Sequence, residues 1–236
     1  MKDKNVTYTS KTSEEFIFKR MVTEKADGFI KKGTFTNELV WGHNSYIFPC
    51  MDKKRQKAFK KGMFLFGMVR KDVKEYLKTN TIKLPIKYSQ IEYNKDLNEE
   101  LFGKITATDL NHAYWRIALK LGVISEHTYL KGLNDQFKAV RLAALSTMGA
   151  NKKYQKIKKG KITDEFKIIY GDDKLKDVYK LIRYTCYKYM NQVKKKLGKD
   201  FLCYKTDCIY YIDNQYNRKI VRDFFKEKDL YMKQLV

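Results

Sequence analysis

Two aspartates stand where this chain can hold a cation. Asp109 closes residues 105–108, which read as a short strand, and an apolar series (Ala113, Trp115, Ile117, Ala118, Leu121) opens a helix just behind it. An acid at a strand end, with a helix turning away, is well placed to bind a metal. Asp207 follows Lys205 and Thr206 between two apolar runs, residues 201–204 and 208–212. That pattern suits a tight β-hairpin with its acid at the tip. Between the two acids, residues 137–149 form an Ala/Leu-rich helix that carries Lys138 and Arg141 and ends on Gly149. Carboxylates on adjacent strands can hold a pair of divalent cations about 3.5–4 Å apart. The elements that must bring the acids together are therefore a strand, a hairpin and the helices under them.

The three segments resemble, in order, motifs A, B and C of family B DNA polymerases. The row Asp109, Leu110, Asn111, His112, Ala113, Tyr114, Trp115, Arg116, Ile117 keeps the Asp, Asn, Tyr and Ile of Asp-x-Asn-Ser-Leu-Tyr-Pro-Ser-Ile. It departs at the Ser-Leu and Pro-Ser pairs. In the motif B pattern, Lys-x-x-x-Asn-Ser-x-Tyr-Gly, Arg141 takes the Lys place, Ser146 and Gly149 match, and Leu145 and Met148 replace Asn and Tyr. Thr206 and Asp207 match the second Thr-Asp of motif C, Tyr-Gly-Asp-Thr-Asp-Ser, while Lys205 stands where the first Asp is usual. The match covers about half of the chain.

The resemblance implies an α+β fold: a palm-like antiparallel sheet with helices on one face over 101–236, a fingers-like helix at 134–149, and an N-terminal helical and basic region at 1–100. It implies a DNA-directed DNA polymerase that adds deoxynucleoside triphosphates to the 3′-hydroxyl of a DNA primer–template with two Mg²⁺ ions. Mg²⁺ fits because it takes oxygen ligands and accepts one or two carboxylates plus phosphates. On this reading Asp109 and Asp207 are the catalytic metal ligands, assisted by the carbonyl of Leu110. Arg141 clamps the triphosphate, which a guanidinium can do bidentately, and Lys138 joins it in binding the nucleotide. The Tyr114 ring lies under the sugar and excludes a 2′-hydroxyl by steric clash.

The departures shape the expectation. Lys205 puts a cation where the family has an anion: it occupies one metal position, or it points away. No Asp-x-Glu exonuclease signature appears in the N-terminal third, and the tail after residue 212 is short for a thumb. Three forms stay open: one of several subunits in a split polymerase, a primase-like enzyme with short products, or a part that borrows its grip from partners. Small Lys-rich polymerases of this style resemble those of phages and other viruses, which implies the host cytoplasm. The competing reading is a decayed palm that holds nucleic acid, or plays a structural viral role, without chemistry.

Composition narrows the partner. In 236 residues, Lys+Arg number 50 against 27 Asp+Glu, a net +23. That excess favours a polyanion, either nucleic acid or an anionic membrane, although AT-rich coding also inflates lysine. Aromatic content of 14% suits single strands, where bases stack on rings and phosphates meet cations. No run approaches the roughly 18 apolar residues of a membrane span, and no apolar run follows the basic start, so neither a membrane nor secretion is expected. Four Cys without a Cys-x-x-Cys pair, and three scattered His, read as reduced thiols without a zinc site.

Taken in order, residues 1–11 read as loose. Thr12 to Glu15 forms a capping box for a helix that runs through Phe16, Met21, Val22, Phe29 and Ile30 and stops near Gly33. Residues 35–50 read as irregular. Asp52 caps a helical region over 53–77 that opens with a basic run, and residues 82–88 alternate like an edge strand around Pro85. Ser125 to Lys131 is a short turn or helix. The densest basic run follows, with Lys152, Lys153, Tyr154, Lys156, Lys158 and Lys159 as candidates for gripping a nucleic-acid strand; a solvated loop is the bland alternative. Residues 162–170 read as a strand. Asp172 and Asp173 open a long amphipathic helix that Gly198 closes, and their place at its N-terminus is explained by the helix dipole. A helix over 217–225 and a strand over 230–236 complete the reading.

Overall fold

The computed structural model describes residues 5–8, 13–33, 36–49, 53–95 and 104–235. The chain begins with β1 (Asn5–Tyr8), α1 (Glu14–Thr23), β2 (Gly28–Lys31), β3 (Thr36–Trp41) and β4 (Asn44–Pro49). Two helices follow, α2 (Lys53–Gly62) and α3 (Phe64–Thr79), then β5 (Ile91–Tyr93), β6 (Ile105–Leu110), α4 (Ala113–Lys120) and α5 (Glu126–Gly132). Next come α6 (Lys138–Ser146), β7 (Lys152–Lys158), β8 (Lys161–Ile169) and α7 (Asp173–Leu197). The chain closes with β9 (Phe201–Lys205), β10 (Cys208–Ile212), α8 (Gln215–Glu227) and β11 (Met232–Leu235). The fold is α+β with two sheets.

The five-stranded sheet has the order β11-β6-β10-β9-β5, antiparallel throughout. Side chains alternate across it. Leu110 from β6, Tyr204 from β9, and Ile209 and Tyr211 from β10 enter one apolar core with α3, α4, α7 and α8. Asp109 and Cys208, paired across the strands, therefore face the other way. Under the sheet runs α7. Asp172 accepts a hydrogen bond from the Leu175 N–H at 3.1 Å and starts it, and Gly198 at φ +57 ends it. Val178, Ile182, Cys186, Met190 and Val193 recur at helical spacing and are fully buried. Each aliphatic side chain among them contributes about 1.5–3 kcal/mol.

The second sheet has six strands in the order β1-β4-β3-β2-β7-β8, with β1 parallel to β4 and the other pairs antiparallel. Its core joins Ile17 and Met21 of α1 to Ile30, Leu39, Phe48 and Ile157. Several sequence expectations are corrected here. Residues 5–8 are a strand. Ser13, not Thr12, caps α1, accepting from the Phe16 N–H at 3.1 Å; Thr12 lies outside the described residues, as does Asp52. Helix α1 stops at Thr23 because Lys25 turns to φ +48, and Phe29 and Ile30 then belong to β2. A Cβ at Gly28 would sit 2.4 Å from the Val40 carbonyl oxygen, so glycine lets β2 close on β3. Residues 36–49 form a hairpin that turns at Gly42, φ +58. Residues 82–88 form no strand; Leu84 and Ile86 project into solvent. The basic run is a paired strand, and β7–β8 leaves the C-terminal region to join β2. Among the described residues no helix is long and apolar enough to cross a membrane.

Candidate active site

The register of β6 and β10 builds the site. Cα partners run across the open face in the order Ile91, Lys205, Cys208, Asp109, Lys233. Between Lys205 and Cys208 the hairpin turns in two residues, Thr206 and Asp207. The Leu110 N–H donates to the Asp207 carbonyl at 3.0 Å, which ties the hairpin tip to the end of β6. Asp109 and Asp207 thus line one cavity of about 330 Å³, together with His112, Tyr114, Lys138 and Arg141. Two non-glycine residues of that lining hold left-handed backbone, His112 at φ +54 and Thr206 at φ +57. For a β-branched residue such as Thr206 this conformation is costly, about 1–3 kcal/mol, and such strain concentrates at functional sites.

At Asp109 the nearby cations do not outweigh burial and a neighbouring acid. Burial, and then the neighbouring Asp207 carboxylate, push the Asp109 carboxyl above its usual range; Lys138 and Lys233 offset this only in part. An added cation would relieve both effects. Lys205 is exposed and is not among the residues lining the cavity. It shares the open face with Asp109, with the Cys208 position between them.

Tyr114 lines the cavity and donates from its hydroxyl to the Tyr187 hydroxyl at 3.3 Å. Tyr187 also accepts from Nε of Arg183 at 3.1 Å. Burial drives the Tyr114 phenol far above its usual pKa, so it stays neutral. Arg141 is buried, and its Nη1 donates to the carbonyls of Gly132 and Asn134. Its guanidinium is engaged with backbone rather than free for a triphosphate. Lys138, one turn earlier on α6, is the cation that the helix leaves to the cavity. Leu110 is buried, with its N–H committed as described.

The basic run lies on the six-stranded sheet. Lys156 meets Glu165 at 2.7 Å, Lys158 pairs with the same carboxylate, and Lys152 lies 3.9 Å from Glu38. Lys153 sits 3.8 Å over the Phe166 ring. Lys159 is in the turn after β7, where its N–H donates to Asp27 at 2.8 Å. Tyr154 is buried and donates to Glu38 at 2.9 Å, so its ring packs inside the sheet and offers no stacking surface.

Three contributors escaped the sequence reading as site residues. His112 occupies a position that the motif gives to serine, Lys233 is set beside Asp109 only by the pairing of β11 with β6, and Tyr187 lies on a helix read as packing. Only the last carries a sequence signal, its place on the buried stripe of α7. Among the described residues no group of three or more His, Cys, Asp or Glu is arranged to hold a metal. Two carboxylates are too few to cage an ion. They suit a cation that keeps water and takes phosphate oxygens, as Mg²⁺ does. No protein-family model, curated protein or solved structure matches the chain.

Proposed function

We propose that the chain is a minimal polymerase palm of family B style, adding deoxynucleotides to a DNA primer 3′-hydroxyl. The observation that carries this reading is the meeting of Asp109 and Asp207, distant in sequence, on the wall of one cavity that also holds Tyr114 and Lys138. The raised Asp109 carboxyl supports it, because such a pair favours a divalent cation. Asp109 and Asp207, with the Leu110 carbonyl, would hold two Mg²⁺. Bound there, Mg²⁺ lowers the pKa of the primer hydroxyl and neutralises triphosphate charge.

The remaining work falls to the chain's own groups. Lys138 draws the triphosphate to the cavity as a point charge. Tyr114, anchored on Tyr187, sets a wall against the sugar and disfavours a 2′-hydroxyl. The open face of the sheet, with Lys205 and Lys233 in one row, meets the backbone of the primer–template. The working compartment on this reading is the cytoplasm of a host cell.

A second reading is a palm that has lost catalysis and only holds nucleic acid within a viral assembly. Lys205 in place of the first motif C acid favours it. Primer extension with labelled deoxynucleotides and Mg²⁺ separates the two, using wild type, Asp109→Asn and Asp207→Asn. Extension by wild type that both variants lose supports the enzyme. Binding of DNA without extension by wild type supports the module.

A further inference from the structure

Arg141 and His112 meet behind the cavity. Arg141 is 3% exposed. Its Nη1 is held by the Gly132 and Asn134 carbonyls, the second at 2.9 Å. Its Nη2 lies 2.9 Å from Nδ1 of His112. A guanidinium has donors only, so Nδ1 must accept, and the neutral ring then carries its proton on Nε2. That Nε2 is 3.9 Å from the Asp135 carboxylate, beyond hydrogen-bond range. Asp135 itself is 96% exposed and solvated. The Nε2–H is therefore left for something else, on a ring that lines the same cavity as Asp109, Asp207 and Lys138. His112 also holds left-handed backbone at φ +54 immediately before α4, a conformation that histidine and asparagine tolerate better than most side chains.

We propose that His112 binds a phosphate oxygen of the incoming nucleotide through Nε2–H, and that Arg141 serves the site only by fixing the ring in that tautomer. The inference rests on the nucleotidyl-transfer reading and deepens it. Two residues on one face of α6 then play different parts. Lys138 supplies charge, and Arg141 supplies orientation through His112. A donor already held in one tautomer needs no reorganisation when the phosphate arrives. Arg141 is thus a positioning residue, and His112 is the group in contact with substrate.

The chain has three His, which makes the rings resolvable by nitrogen-15 NMR of histidine-labelled protein, with His43 and His127 assigned by substitution. Free protein is expected to show His112 protonated on Nε2, and its ring signals are expected to shift on titration with thymidine triphosphate and Mg²⁺. In Arg141→Lys the single tautomer gives way to a mixture. His112→Gly keeps the left-handed turn without a side-chain donor, so the fold is retained. In primer extension its KM for the triphosphate rises about tenfold or more, the effect of about 1.4 kcal/mol, with kcat changed less. His112→Asn, which also tolerates the turn but is too short to reach, follows His112→Gly. A proton on Nδ1, ring signals indifferent to bound triphosphate, or a KM within about twofold of wild type in His112→Gly overturns the inference while wild-type extension preserves the parent reading. A wild type that binds no triphosphate overturns both.

Discussion

In the six-stranded sheet, Glu38 accepts from Ser45 at 2.6 Å and from Tyr154 at 2.9 Å, and Lys152 stands nearby. In the five-stranded sheet, Asp109 shares its cavity with Asp207 and Lys138 and pairs across the strands with Lys233. Burial raises Glu38, but the Ser45 and Tyr154 hydrogen bonds with Lys152 and Lys31 outweigh it and hold the carboxyl below its usual range. Burial also raises Asp109, and there its neighbour Asp207 adds to the shift. The same group in similarly covered positions is thus satisfied on one sheet and left wanting on the other. Glu38 is spent on holding strands together. Asp109 has no such compensation, and that contrast directs the proposed chemistry to the five-stranded sheet rather than the lysine-rich six-stranded one.

The largest effects should come from removing the two acids of the cavity. Asp109→Asn and Asp207→Asn should each lower primer extension by about a thousandfold or more, since each removes several kcal/mol of charge stabilisation organised at the metals. Thermal unfolding should show no loss of stability in Asp109→Asn, because it deletes a charge that folding places unfavourably. Next in size is the satisfied acid. Glu38→Ala strands the buried Ser45 and Tyr154 hydroxyls and should cost about 2 kcal/mol in urea unfolding, with extension unchanged. A Glu38→Ala protein as stable as wild type would remove the contrast between the sheets.

The smallest and most diagnostic effect is the sign of the pH dependence. Glu38 has a folded pKa below its ordinary 4.5. Its stabilisation is complete above that value and is lost as pH falls through the folded pKa, so wild type gains on Glu38→Gln as pH rises from the acid side. Asp109 has a folded pKa above its ordinary 3.8. Its cost is absent at lower pH and grows as pH rises through the raised pKa, so wild type loses ground to Asp109→Asn over that window. Unfolding midpoints of the three proteins across the acid range should diverge in opposite directions, by a few degrees at most.

The site's strand, its hairpin and the long helix α7 were legible because their signals are local. Apolar runs flanking Lys205, Thr206 and Asp207, and a stripe at Leu175, Val178, Leu181, Ile182, Met190, Val193 and Leu197, need no distant partner to be recognised. The six-stranded sheet was not legible. Glu38 and Ser45 lie on the face of β3 and β4 opposite Leu39 and Phe48, where they bond each other and Tyr154, so the polar run gives no apolar strand pattern. The run from Lys152 to Lys158 hides Tyr154 and Ile157, the two residues that make it a buried strand. Within the site, the sequence placed Asp109 and Asp207 but not the fate of Arg141. Whether an arginine on a helix faces substrate or is tied to carbonyls depends on where Gly132 and Asn134 end. That in turn depends on α5 packing against α4, where a Cβ on Gly132 would lie 2.5 Å from the Trp115 ring. Lys233 was invisible for the same reason, since only the pairing of β11 with β6 sets it beside Asp109.

The central claim is that the Asp109 and Asp207 carboxylates, which line one cavity, together hold a divalent cation. Electron paramagnetic resonance of Mn²⁺, titrated into wild type, Asp109→Asn and Asp207→Asn with thymidine triphosphate present, measures this directly. The account predicts saturable uptake of Mn²⁺ by wild type beyond that of the free nucleotide, lost in both variants and displaced by Mg²⁺. Identical uptake by all three proteins would contradict it.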